Sequence, residues 1–328
     1  MAAPWVWKDG EVIPLAEANI PIATHSLHYG AAVFEGIRCY DTEWGPAIFR
    51  LPEHLQRLFY SASVFHITIP YTAEQLTEAV WRVILENGTK NGIWNWYIRP
   101  IVYVDSGLGL KQDYRTRKIS TAIILESWEK SNNSRGASVQ ISRWRRIPPQ
   151  STDVEAKIAG NYANSELAIQ DALAQGYDNA ILLDLRGFVA EGTGENIFVV
   201  RRGIFLTPPR GTILSGITRD TILTFLHDQG FTTREEALER GELFSSHEIF
   251  SCGTAAEVTP IVRIDGAIIG AGIEGPFTIM VKKRYDQIVH GRDDRYRDRW
   301  LTFIPLPREE HGYESIEEET AVPNSKMS

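Results

Sequence analysis

Strand-like and helix-like patterns alternate along the chain in two blocks, parted by one polar, glycine-bearing run, Lys130-Ser-Asn-Asn-Ser-Arg-Gly136, between two apolar stretches. Strand patterns fall at 5 to 7, 11 to 13, 33 to 40, 94 to 104 and 119 to 127, and helical periodicity at 52 to 65 and 73 to 88. This alternation predicts a mixed α/β fold in two parts, a smaller N-terminal part over 1–129 and a larger one over 137–306, joined by the loop 130–136. A tail over 307–328 follows, with Glu-Glu-His and Glu-Glu-Glu runs and few apolar residues, which predicts a segment outside the core. A chain of 328 residues can bury a large core, and 43% hydrophobic with 23% charged residues is an ordinary globular composition.

Charge and cysteine usage exclude several classes. A net charge of -8 without a basic stripe argues against nucleic acid. The most basic stretch, Arg143-Trp-Arg145-Arg146, is short and reads as a strand edge or a contact between copies. Cys39 and Cys252 give no disulfide framework and lack the spaced partners a metal site requires, so a reducing cytoplasm and no metal are expected. No apolar run approaches the ~20 residues of a membrane helix, and no export signal opens the chain.

Between Lys130 and Lys282 there is a single lysine, Lys157, set in Asp153-Val-Glu-Ala-Lys157-Ile-Ala-Gly-Asn161-Tyr162. The chain otherwise prefers arginine, 25 against 9 lysines. Arginine cannot be deprotonated to attack a carbonyl, whereas burial and cationic neighbours depress a lysine pKa by up to ~3 to 5 units. Lys157 is therefore the candidate nucleophile for a Schiff base with an aldehyde, against the plainer reading of a solvated loop lysine.

Downstream, Leu182-Leu-Asp-Leu-Arg-Gly187-Phe-Val-Ala-Glu191-Gly-Thr-Gly194-Glu195-Asn196-Ile-Phe-Val-Val200 reads as strand, turn, short strand, Gly-rich bend, strand. Glu191 is the functional candidate, because a buried carboxylate needs a partner and one beside a pyridine nitrogen keeps that nitrogen protonated. Glu195 and Asn196 read as side chains tying the bend to itself. Next, Ser215-Gly216-Ile217-Thr218 opens an amphipathic helix whose free N–H groups suit a phosphate. The turn Ser251-Cys-Gly-Thr254-Ala255-Ala-Glu257 offers more donors or is a tight loop between strands.

Lysine, Tyr162, Gly-framed glutamate, helix start and Gly-Thr turn, taken in this order, resemble the class IV, fold-type IV pyridoxal-phosphate enzymes. Among them the chain is most similar to the branched-chain-amino-acid aminotransferases. It matches them also at His25-Ser-Leu-His28-Tyr29-Gly30-Ala-Ala-Val-Phe34-Glu35-Gly36-Ile37-Arg38, at Phe49-Arg-Leu-Pro-Glu-His54-Leu-Gln-Arg57-Leu and at Tyr97-Ile-Arg99-Pro100, from about Trp7 to Trp300. The resemblance implies pyridoxal 5'-phosphate at the interface of the two parts, held by Lys157, which also carries the substrate Cα proton. Glu191 then pairs with the pyridine nitrogen and Tyr162 with the phenolic oxygen, while Arg57, Ile217, Thr218 and Thr254 grip the phosphate.

For substrates the resemblance implies L-leucine, L-isoleucine, L-valine and 2-oxoglutarate. Phe34, Gly36, Arg38, Tyr97, Leu108, Leu110 and Trp128 form the walls. Tyr29 and Arg99 take the side-chain carboxylate of glutamate, and Thr254 and Ala255 the α-carboxylate. Tyr29 and the loop 108 to 110 are expected from a partner subunit, implying at least a dimer and up to a hexamer. After Trp128 this chain has Glu129-Lys-Ser-Asn-Asn where the family continues with glycine and tyrosine, and the Asp105–Leu110 loop is one residue shorter. These departures keep a D-amino-acid or (R)-amine transaminase in view, alongside an aminodeoxychorismate lyase and a non-catalytic cofactor carrier.

Overall fold

The computed structural model describes residues 2–128 and 135–306. Most of the expected linker and the acidic tail lie outside the described residues. An antiparallel eight-stranded sheet runs in the order Leu301–Phe303, Ala47–Phe49, Ile37–Tyr40, Trp96–Val104, Ile119–Ser127, Trp5–Lys8, Glu11–Pro14, with Ala32–Phe34 also paired to Trp96–Val104. The helices Leu51–Val64 and Ala73–Asn91 cover it, burying Leu55, Leu58, Leu76, Val80 and Val83 against Ile98, Ile123 and Leu125. Each such side chain contributes roughly 1.5–3 kcal/mol by leaving water. The longer helix starts at a reciprocal cap, Thr72 with Gln75.

The strand expected over 33 to 40 is broken at Glu35 and Gly36. Glu35 is fully buried and turns its carboxylate to Arg57, His54 and the Gly36 N–H, so it cannot continue the ladder. Gly36 is needed for space, since a Cβ there would lie 2.1 Å from the Tyr97 hydroxyl.

Nine strands form the second, mixed sheet: Val189–Gly192, Asn179–Leu183, Ala137–Arg145, Glu257–Ile264, Glu248–Gly253, Asn196–Arg201, Ile204–Thr207, Thr233–Glu235, with Ala267–Ile268 on Glu257–Ile264. A register shift between Val189 and Glu191 bends the short strand and re-aims the glutamate. The last described strand, Leu301–Phe303, crosses back to the first sheet. One core joins Tyr40 and Phe49 to Phe198 and Phe250 of the second sheet and to Phe225 and Tyr285 of the helices Ile217–Asp228 and Pro276–Val289.

The lysine segment is fastened to the first sheet. Phe34 N–H donates to the Lys157 carbonyl at 3.1 Å and Gly160 N–H to the Gly30 carbonyl at 3.1 Å. The Lys157 N–H donates to Ser61 Oγ at 2.8 Å. Gly30 takes φ 65°, and a Cβ on it would stand 2.8 Å from Gly160 Cα.

Candidate active site

A cleft is lined by Arg57, Lys157, Tyr162, Glu191, Ile217, Thr218 and Thr254. Lys157 is half-buried and its Nζ donates to the Tyr162 hydroxyl at 2.7 Å. Its Nζ also faces the rings of Phe34 and Tyr162, at 5.0 and 5.1 Å. The short turn Ala159–Asn161 and the helix Tyr162–Ala174 set lysine and tyrosine five residues apart on one wall.

Glu191 projects into the same cleft and is buried. One carboxylate oxygen accepts from Arg146 Nε at 2.5 Å, and the other from Asn196 Nδ2 at 3.2 Å and the Leu214 N–H at 3.1 Å. Burial pushes this carboxyl above the usual range, with the Arg146 guanidinium pulling the other way. Arg146 is thus not a strand-edge arginine or a contact between copies: it sits just past the strand end, 8% exposed, paired across 45 residues. Glu195 does tie the bend, accepting from Asn179 Nδ2 and the Gly194 N–H at 3.1 Å each. Asn196 instead spans from Glu191 to the Leu214 carbonyl, so it supports Glu191 rather than the bend.

At the other end the donors fit an anion. The helix Ile217–Asp228 starts at an extended Gly216 with no side-chain cap, leaving first-turn N–H groups free. A Cβ on Gly216 would fall 1.9 Å from Asn196 Oδ1, so glycine is required. Arg57 adds a guanidinium held by Glu35 through Nε at 2.6 Å and Nη2 at 2.9 Å, with Nη1 donating to the Ser215 carbonyl at 2.9 Å. His54 Nδ1 meets Glu35 at 2.7 Å. Burial opposes the Glu35 charge, but Arg57 and His54 outweigh it and hold its carboxyl far below the usual range. Thr218 and Thr254 complete this end.

The remaining residues divide by place. Phe34 packs on Tyr162 at 4.9 Å and under Arg99 at 4.6 Å, and Arg99 Nη2 donates to the Tyr97 hydroxyl at 2.9 Å. Tyr97 neighbours Trp128 at 5.5 Å, and the Arg38 guanidinium lies between Tyr40 and Trp128, 3.5 Å from Glu257. Trp128 and Ala255 line a second cleft that shares Glu195 with the first. Tyr29, Leu108 and Leu110 do not line either cleft of their own chain. They share an exposed apolar surface, where the Tyr29 hydroxyl accepts from the Gly109 N–H at 3.1 Å. Glu35, His54, Arg146, Asn196 and Gly216 complete the site; four of them lie in motifs that stand out in the sequence, whereas the role of Arg146 has no signal there, because its partner is brought to it by the sheet.

The amino-transferase class IV family model matches residues 32–264. Over 306 residues the chain is 40% identical to a branched-chain-amino-acid aminotransferase of Pseudomonas aeruginosa, covering 91% of this chain and 97% of the relative. Among solved structures, the branched-chain aminotransferase of the archaeon Thermoproteus uzoniensis with norvaline is similar at TM-score 0.86 and 39% identity, over 92% of this chain and 100% of that one. The branched-chain amino acid aminotransferase of Thermobaculum terrenum in its PLP form is similar at TM-score 0.84 and 32% identity, over 93% of this chain and 99% of that one. A lysine, a buried carboxylate and an anion cradle in one cleft agree with these matches, and the chain belongs to the class IV aminotransferases.

Proposed function

We propose that this protein is a pyridoxal-phosphate-dependent branched-chain-amino-acid aminotransferase. It moves the amino group of L-leucine, L-isoleucine or L-valine to 2-oxoglutarate, giving the branched-chain 2-oxo acid and L-glutamate. The observation that carries this is the layout of one cleft: an amine in contact with a phenol, a carboxylate at one end and anion donors at the other. The donor set fits the cofactor. Arg57, the N–H groups at Ile217 and Thr218, and the Thr254 hydroxyl suit its phosphate, Tyr162 its phenolic oxygen and Glu191 its ring nitrogen. Bound there, the cofactor supplies an electron sink for negative charge at the substrate α-carbon.

The chain's own groups do the rest. Lys157 would take the proton from the substrate α-carbon and deliver it to C4' of the cofactor within the same half-reaction, the reverse transfer serving the second, a task for which the amine is oriented by Tyr162. Arg146, Asn196 and the Leu214 N–H fix the Glu191 carboxylate. Phe34, Tyr97 and Trp128 give an apolar wall for an aliphatic side chain. Arg99, whose Nε is buried without a hydrogen-bond partner, takes a second carboxylate. Tyr29, Leu108 and Leu110 reach a neighbouring copy's cleft, so the working unit is at least a dimer. Both cysteines are buried free thiols, which supports a cytoplasmic setting. Among the described residues no helix is long and apolar enough to cross a membrane.

The test is the visible spectrum of the purified protein before and after L-leucine, L-glutamate, D-alanine and (R)-1-phenylethylamine, each added alone. Loss of the cofactor band with leucine and glutamate, and no response in Lys157→Ala, is expected. Response only to D-alanine or the amine moves the protein to the rival transaminases, and a cofactor band unmoved by any donor makes it a carrier.

A further inference from the structure

Arg57 has five N–H donors in a rigid fork. Glu35 takes two, at 2.6 and 2.9 Å, and the Ser215 carbonyl a third, at 2.9 Å. One N–H is left on each terminal nitrogen, and Arg57 lines the cleft. Glu35 itself is 0% exposed, in the break between the strands Ala32–Phe34 and Ile37–Tyr40, and touches nothing in the cleft that a ligand could use. Its carboxylate can only accept, so the His54 contact at 2.7 Å is an Nδ1–H donation, and the Gly36 N–H adds another at 3.2 Å.

We infer that Glu35, steadied by His54, is a positioning residue for phosphate recognition: it holds the Arg57 fork in the one orientation that leaves two donors for the cofactor's phosphate. A free arginine loses rotamer entropy when it is ordered, and a fork already fixed on a buried carboxylate loses little of it on binding an anion. Part of the Arg57 charge is cancelled by Glu35, so the gain lies in orientation, in which the guanidinium surpasses a point charge. The inference rests on the cofactor reading above.

The experiment compares binding of pyridoxamine 5'-phosphate with that of pyridoxamine to the full-length chain, by fluorescence titration. Neither probe forms a covalent link to Lys157, so the ratio of their affinities reports the phosphate alone. Glu35→Gln is expected to cut that ratio about tenfold, the scale of one charge-assisted hydrogen bond, while pyridoxamine affinity holds. Glu35→Asp, which keeps the charge but shortens the reach, should cut it too and guards against misfolding of the first variant. In an Arg57→Lys chain, where no fork exists, adding Glu35→Gln should leave the ratio where Arg57→Lys put it. An unchanged ratio in the folded Glu35 variants overturns the inference, and so does an equal loss for both probes, which marks a purely structural residue. A wild-type chain without preference for the phosphorylated probe refutes the cofactor reading instead.

Discussion

Lys157 stands out in the sequence because chemistry, not solubility, accounts for a lone lysine among small residues, and Glu191 because glycines frame it. Arg146 does not stand out: it belongs to a run of arginines, and the property that distinguishes it, a 2.5 Å contact with Glu191, arises only when strands far apart in sequence pair. Removing it tests how much that contact matters. In Arg146→Met the Glu191 carboxylate loses the charge that opposes burial, and breaking such a buried pair costs about 3–5 kcal/mol. Glu191 already titrates above its ordinary value of 4.5 in the folded chain, and the variant raises it further. The folded state then keeps a proton that the unfolded chain has released, so stability falls as pH rises above about 4.5, more steeply than in the wild type. Urea unfolding between pH 5 and 8 measures this, and a pH-independent difference between the two proteins would refute it.

Periodicity and turn residues locate most elements of the first part to within a few positions, because alternation and helical spacing are local properties, but they miss the short strand Ala47–Phe49 and the one-turn helix His25–Tyr29. The interruption at Glu35-Gly36 escapes such reading. Its cause is non-local: a carboxylate claimed by Arg57 and His54, and a hydroxyl from Tyr97 occupying the space of a missing Cβ. Gly36→Ala therefore drives a methyl against Tyr97, which also accepts from Arg99. Overpacking of this kind costs about 1–3 kcal/mol. The expected outcome is a KM for leucine raised about tenfold or more with the resting cofactor spectrum unchanged, measured by steady-state kinetics; a shifted spectrum with unchanged KM would place the strain at the cofactor instead.

For the molecule as a whole, an exposed apolar surface around Tyr29 stands out among the described residues. Ile22 is 82%, Leu27 57%, Leu108 65% and Leu110 76% exposed, a clustering that marks a contact surface rather than scattered surface residues. If, as proposed, this surface completes a neighbouring copy's pocket, Leu108→Asp with Leu110→Asp lowers the sedimentation coefficient to that of a monomer and lowers leucine turnover. Two association states with equal activity would show that each cleft is complete in one chain. Separately, the Gly30–Gly160 contact and the Phe34–Lys157 hydrogen bond give the chain an uncommon property as engineering material. A chain divided between Ser127 and Ala137 would leave the lysine on the second fragment and the backbone that orients it on the first. The strand Leu301–Phe303 would in turn be owed to the first fragment's sheet. Neither piece would hold cofactor alone, and its colour would return only when the two reassemble, which makes the cleft a ready-made reporter of fragment complementation.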